Sequence, residues 1–172
     1  MILTVGGPIG SGKTTVASAV AKRFGLRHIS AGVIFREMAR QRGLSLEDFS
    51  KLAESDNSFD QLVDARQKEL ASGGSAIVDG RLSGRFIDGD IKIWLTAPFE
   101  LRAQRVAKRE EVDISKARAD MQKREKSEAA RYKKIYNIDI YDLSPYDVVL
   151  NTALWSAEGV IEIIKTLIEA RL

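Results

Sequence analysis

Apolar positions in this chain follow two spacings that take turns. Short runs rich in Ile, Val and Leu occur at Ile2-Leu3-Thr4-Val5, Leu26-Arg27-His28-Ile29-Ser30, Ala76-Ile77-Val78, Ile91-Lys92-Ile93-Trp94-Leu95 and Tyr146-Asp147-Val148-Val149-Leu150, and each predicts a strand. Between them the spacing is helical. Val16, Val20 and Phe24 predict a helix closed by Gly25, and Val33, Ile34 and Met38 predict a second, stopping near Gly43. Residues 46–54 and 59–70 predict two short helices separated by Ser55-Asp56-Asn57-Ser58, the first capped by Ser45 with an acidic residue three positions on. Pro98 opens a helix with Leu101, Val106 and Ala107 on one side, helical patterning resumes from Ile114 to about Lys134, and Val160, Ile161, Ile164, Leu167 and Ile168 stripe the last helix. Strands alternating with helices predict a five-stranded parallel sheet between two helical layers, a three-layer α/β/α fold. In such a sheet the ligand lies beyond the carboxyl ends of the strands.

One stretch interrupts the first strand and helix with glycine. Gly7-Pro8-Ile9-Gly10-Ser11-Gly12-Lys13-Thr14-Thr15 satisfies Gly-x-x-x-x-Gly-Lys-Ser/Thr in the strand-to-helix context the pattern requires. Gly7, Gly10 and Gly12 let successive backbone amides curl around a phosphate, and the helix that follows aims its positive end at the same anion. Lys13 then reaches the β- and γ-phosphates of a nucleoside triphosphate, and the Thr14 hydroxyl ligates Mg²⁺. A tight turn alone is the competing account of these glycines.

Composition narrows the rest. With 172 residues, 44% hydrophobic and 30% charged, the chain predicts one ordinary soluble domain. No apolar run reaches the length of a membrane span, and Met1 leads straight into strand residues, so no signal peptide and a cytoplasmic location are expected. Zero cysteines exclude a disulfide framework, a thiol nucleophile and cysteine-ligated zinc. His28, the one histidine, is expected at the surface or at a strand end, since no partner motif accompanies it. The net charge of +3 is unevenly spread, concentrating between Arg102 and Lys134. Acidic residues break up that stretch and Tyr132 is its one aromatic, which favours a solvated helical surface over a nucleic-acid interface.

A phosphate loop serves several chemistries. A guanine-nucleotide switch needs Asn-Lys-x-Asp and Asp-x-x-Gly, neither of which occurs, and no Glu follows Asp79 as a motor ATPase requires. Among kinases, an alcohol acceptor calls for a carboxylate base, whereas a phosphate acceptor calls for cations that hold two polyanions together. The expected rim carries Arg36, Arg81, Arg105, Arg109, Arg124 and Arg131, which favours a phosphate acceptor. Arg102, Arg105 and Arg109 share one helix face, and Arg124, Glu128 and Arg131 share another on the next helix. For any single arginine, an ordinary surface ion pair with Glu100, Glu110 or Glu125 competes with a phosphate-directed role.

Longer stretches resemble the nucleoside monophosphate kinases of the P-loop class, most closely the cytidylate kinases of archaeal type. The match runs from the glycine loop through Ile-Ser-Ala-Gly-Val-Ile-Phe-Arg-Glu after His28, Asp-Gly-Arg-Leu-Ser-Gly from Asp79, Ala-Pro-Phe-Glu-Leu-Arg from Ala97, Arg-Glu-Lys-Ser-Glu-Ala-Ala-Arg-Tyr from Arg124, and Asn-Thr-Ala-Leu-Trp from Asn151. The resemblance implies phosphoryl transfer from Mg-ATP to CMP or dCMP by a monomer that needs neither nucleic acid nor membrane. It implies that residues 7–15 with Asn151 and Thr152 hold ATP, and that Lys13, Arg105, Arg109 and Arg131 act on the transferring group. Ser30, Arg36, Asp79, Arg81, Arg124 and Glu128 are then expected at the acceptor, and Thr14 at the metal. Within a single domain, 1–172, the implied core is 1–30, 73–104 and 135–172, with an acceptor-binding insert at about 31–72 and a lid at about 105–134. Adenylate kinases show Asp-Gly-Phe-Pro-Arg where Asp79-Gly80-Arg81-Leu82 stands, and shikimate kinases place an acidic residue where Ser30 stands. UMP, AMP, a small alcohol as acceptor, or ATP as a mere switch for nucleic-acid binding, are the other readings.

Overall fold

The computed structural model describes residues 1–171, the Glu47 side chain excepted, so the last residue of the expected domain, 172, lies outside it. β1 (Ile2–Gly6) leads through the glycine loop into α1 (Lys13–Phe24) and β2 (Arg27–Ser30), and α2 (Ala31–Gln41), α3 (Leu46–Ser55) and α4 (Ser58–Ala71) return to β3 (Ala76–Asp79). After the single turn α5 (Ser83–Phe86) come β4 (Ile91–Thr96), α6 (Phe99–Glu110), α7 (Ile114–Tyr136), β5 (Val148–Asn151) and α8 (Ala157–Glu169). All strand pairs are parallel, in the order β2-β3-β1-β4-β5.

Side-chain alternation decides which layer covers which face. Leu3, Val5, Ile77, Ile91, Ile93 and Leu95 project to one side and pack against Val16, Ala17 and Val20 of α1 and Val160, Ile161 and Ile164 of α8. Ile29, Ala76 and Val78 project to the other and meet Ile34 of α2 and Val63 of α4. Burying each of the larger side chains contributes about 2 kcal/mol. A smaller cluster, Ile9 with Ala103, Val106, Ala117 and Met121, fastens the α6–α7 pair onto the glycine loop. Ser45 caps α3, its hydroxyl accepting the Asp48 amide at 3.0 Å, as the sequence predicts.

Two local expectations change. Tyr146 and Asp147 precede β5 rather than opening it: Tyr146 packs on Trp94, ring centroids 4.9 Å apart, and the Asp147 carboxylate accepts the Lys92 amide at 2.7 Å. The turn α5 had no sequence signal, because four residues are too few to show a period. Registers Ser30↔Asp79, Val5↔Asp79 and Thr96↔Asn151 place the strand ends along one rim, which is where the glycine loop lies.

Candidate active site

Between β1 and α1 the loop takes the conformation its glycines allow, with φ of 148° at Gly7, 78° at Gly10 and 95° at Gly12. Space forbids side chains at two of these positions as firmly as dihedrals do. A Cβ on Gly7 would stand 2.3 Å from the Leu95 carbonyl oxygen, and one on Gly10 would stand 2.7 Å from that of Arg102. Four consecutive carbonyls are each taken by a side-chain donor. Pro8 accepts Lys13 Nζ at 2.9 Å, Ile9 accepts Arg102 at 2.9 Å, Gly10 accepts Arg105 at 3.3 Å and Ser11 accepts the Thr152 hydroxyl at 3.1 Å. The loop is thus held by its acceptors, and the first amides of α1, which have no carbonyl within the helix, are left to an anion.

Lys13 is half-buried, and burial together with the Arg81 guanidinium pulls its ammonium down to about 8, against the opposing pull of Glu128 and Asp79. A cation disfavoured by its surroundings is poised to gain from an incoming phosphate. Thr14 donates its hydroxyl to Asp79 Oδ2 at 2.8 Å, and the other oxygen of that buried carboxylate meets His28 Nε2 at 2.7 Å. His28 does stand near a strand end, but it is half-buried and it has a partner 51 positions away. Hydroxyl and carboxylate oxygens side by side suit a hard cation such as Mg²⁺. Among the described residues no group of three or more His, Asp or Glu could hold a metal ion.

Beside the loop opens a cavity of about 360 Å³ lined by Gly12, Thr15, Arg105, Arg109, Thr152 and Trp155 among others. Arg105 reaches across its floor, donating to the Thr152 hydroxyl at 2.8 Å and the Thr152 carbonyl at 2.9 Å. Asn151 ends β5 and accepts the Ala153 amide at 3.0 Å, which shapes the turn leading to Trp155.

On the far side of the loop, α7 and the insert helices supply the remaining charge. Arg109 and Arg124 are both exposed and both turn to Glu110, at 2.7 and 4.0 Å. Arg81, largely buried, lies 3.1 Å from Glu128 and 4.0 Å from Glu125, and its Nε and Nη1 complete no hydrogen bond. Arg131 donates to Asp60 at 2.7 Å and to Ser127 at 2.6 Å; burial opposes its charge, but Asp60 and Glu128 hold it above the ordinary arginine range. Arg36 is exposed beside Ser30 at the end of β2 and makes no hydrogen bond or ion pair with another described residue. Arg102, on the same face as Arg105 and Arg109, is instead buried, bonding to Ala97 and Ile9 carbonyls and to Glu125 at 2.5 Å. Exposed ion pairs form as well, Arg109 with Glu110 and Arg118 with Glu100, whereas the pair of Glu125 with Arg102 is largely buried.

Sequence reasoning passed over Asp60, Asp64 and Gln67 on α4, all buried, and the Tyr136 hydroxyl that donates to Asp64 at 2.7 Å. Burial raises the Asp64 carboxyl to about 6, against the Tyr136 bond. A signal existed: three polar residues at helical spacing stand beside Phe59 and Val63 on the stripe that faces inward. Trp155 also went unassigned, although an exposed tryptophan directly after a rim strand marks a binding wall.

The chain matches the profile of the cytidylate kinase-like family over residues 2–154. A cytidylate kinase of Methanopyrus kandleri is 47% identical over 180 residues, covering 98% of this chain and 93% of the relative. One of Methanocaldococcus jannaschii is 46% identical, covering 98% of each. Among solved structures, a shikimate kinase from Bacteroides thetaiotaomicron superposes with a TM-score of 0.65 at 13% identity over 98% of both chains, a likeness of fold. A glycine loop in its strand-to-helix setting, a rim of guanidinium groups and a match along nearly the whole length lead to one assignment: this chain belongs to the cytidylate kinase-like family.

Proposed function

We infer that the chain transfers the γ-phosphoryl group of Mg-ATP to CMP or dCMP, yielding ADP and the nucleoside diphosphate. The observation that carries this reading is the nearness of Lys13 to Arg81 and Arg109, with Arg124 sharing Glu110 with Arg109 and Arg131 sharing Glu128 with Arg81. Such a set suits the joining of two polyanions. The relatives named cytidylate kinase support the nucleoside.

In this mechanism residues 7–15 cradle the triphosphate, and the base of ATP enters the cavity between Arg109 and Trp155, with Thr152 and the turn after Asn151 beneath. Arg105 keeps the loop and that turn in register. The insert, about 31–72, receives the acceptor, with Ser30, Arg36, Asp79, Arg81, Arg124 and Glu128 near its base, sugar and phosphate. An oxygen of the acceptor phosphate attacks the γ-phosphorus, the bond to the β–γ bridging oxygen breaks, and ADP leaves with that oxygen. Lys13, Arg105, Arg109 and Arg131 stabilise charge on the group in transit. Thr14, with Asp79 beside it, would hold the magnesium ion, which would supply positive charge against the negative charge of the phosphates. The lid, about 105–134, excludes water that would otherwise accept the phosphoryl group. The same reading has the enzyme working as a monomer in the cytoplasm.

A coupled assay of ADP release with CMP, dCMP, UMP, AMP and GMP tests it. CMP and dCMP should give the highest kcat/KM, and faster turnover of another monophosphate, or none that depends on a monophosphate, would displace it. Among the described residues no helix is long and apolar enough to cross a membrane.

A further inference from the structure

We propose that His28 is a positioning residue for the metal-dependent half of ATP binding, acting through Asp79 on the Thr14 hydroxyl. The inference rests on the Mg-ATP reading of the loop.

Asp79 is the last residue of β3 and is 2% exposed, so both of its oxygens depend on protein partners. Each has one in this structure. Oδ2 accepts the Thr14 hydroxyl at 2.8 Å, and Oδ1 receives His28 Nε2 at 2.7 Å. His28 comes from the adjacent strand, where it is paired with Ile77 while Ser30 is paired with Asp79. His28 and Asp79 thus project from one face of the sheet, and the imidazole reaches forward by one pleat to the carboxylate.

The physical consequence lies in two torsions. The terminal torsion of an aspartate is broad, so a carboxylate gripped at one oxygen still swings. Gripped at both, it presents a fixed acceptor to Thr14. A hydroxyl that donates into a fixed acceptor has its remaining lone pairs held in fixed directions, free to meet a cation. A neutral imidazole with its proton on Nε2 suffices, the tautomer being set by the bond itself. Nothing in the phosphoryl-transfer scheme requires His28 to touch a substrate, and its role is to keep Thr14 aimed.

Calorimetry on the full chain tests this with ATP in excess magnesium and with ATP in EDTA, for the unmutated protein, His28→Ala and His28→Gln. The ratio of the two affinities isolates the contribution of the metal. Loss of an orienting partner behind a metal ligand typically weakens metal affinity by about tenfold or more. His28→Ala should therefore bind ATP in EDTA as the unmutated protein does but lose about tenfold in magnesium, and the magnesium needed for half-maximal turnover should rise in step. His28→Gln, whose amide can donate to Oδ1, should restore most of the ratio. In an Asp79→Asn background, His28→Ala should have no further effect on it. An unchanged ratio in His28→Ala, an equal loss with and without metal, or additive effects with Asp79→Asn would each overturn the inference alone. Should His28→Ala not fold, His28→Leu, which fills the same space without a donor, takes its place under the same criteria. An unmutated protein whose ATP affinity ignores magnesium would remove the Mg-ATP reading together with it.

Discussion

Asp64 shows at the scale of one residue how α4 and α7 are joined. Its carboxyl, buried under α7, is raised from an ordinary 3.8 to about 6. In the unfolded chain this group loses its proton near 4, while in the folded protein it keeps it until about 6. Stability from this source is therefore complete below 4 and declines as pH rises through 6. The gap of two pK units corresponds to at most about 3 kcal/mol. Asp64→Asn, which keeps an acceptor for the Tyr136 hydroxyl, removes the penalty. Denaturant unfolding should show the variant gaining about 2 kcal/mol on the parent between pH 4 and pH 7, and a constant difference would refute the assignment. Arg109 behaves differently, being exposed and parked on Glu110. Arg109→Ala should lower kcat at least about a hundredfold, as loss of a charge-stabilising donor does, while ATP affinity by calorimetry changes little. Equal turnover would count against its place in the mechanism. The glycine loop and the arginines were legible in the sequence because their chemistry is local or compositional. Asp60 and Asp64 were not, since their partners Arg131 and Tyr136 stand more than 70 positions away.

At the scale of an element, α6 does two jobs along one face. Arg102 is buried beneath the glycine loop, bridging Ile9, Ala97 and Glu125, whereas Arg118 on α7 meets Glu100 in solvent. Removing one partner of a buried pair leaves the other charge and two carbonyls uncompensated, so Arg102→Ala should cost about 3 kcal/mol or more. Arg118→Ala, which breaks an exposed pair, should cost less than about 1 kcal/mol. Denaturant midpoints with unchanged slopes check both, and similar losses would contradict the distinction. Helix spacing put Arg102, Arg105 and Arg109 on one face, and that was correct. What spacing leaves open is depth, since burial depends on what docks against the face, and at Arg102 the glycine loop and Glu125 of α7 do so. The strands were readable for a related reason: in a parallel sheet covered on both sides, whole runs are apolar.

For the whole molecule, the parallel sheet and the single rim follow from alternating strands and helices. The long reach of α7 does not. Near its start Ala117 and Met121 pack on α6 and the loop, while farther along Ser127 binds Glu54, Arg131 binds Asp60 and Tyr136 binds Asp64 on the insert. On the function proposed above, one element therefore borders both nucleotide sites, and an arrangement favoured by one occupant should be favoured by the other. Affinity for CMP measured by calorimetry should rise about fivefold or more when a non-hydrolysable ATP analogue is present, and CMP should tighten the analogue by the same factor. Independent affinities would argue that the two sites do not communicate. α7 also contains neither proline nor glycine, the usual causes of a kink, over its 23 residues, a length of about 34 Å. Glu111 and Asn137, just outside its two ends, are both left-handed, with φ of 54°. Such a rod has no joint of its own, so a displacement imposed at one tip is carried whole to the other.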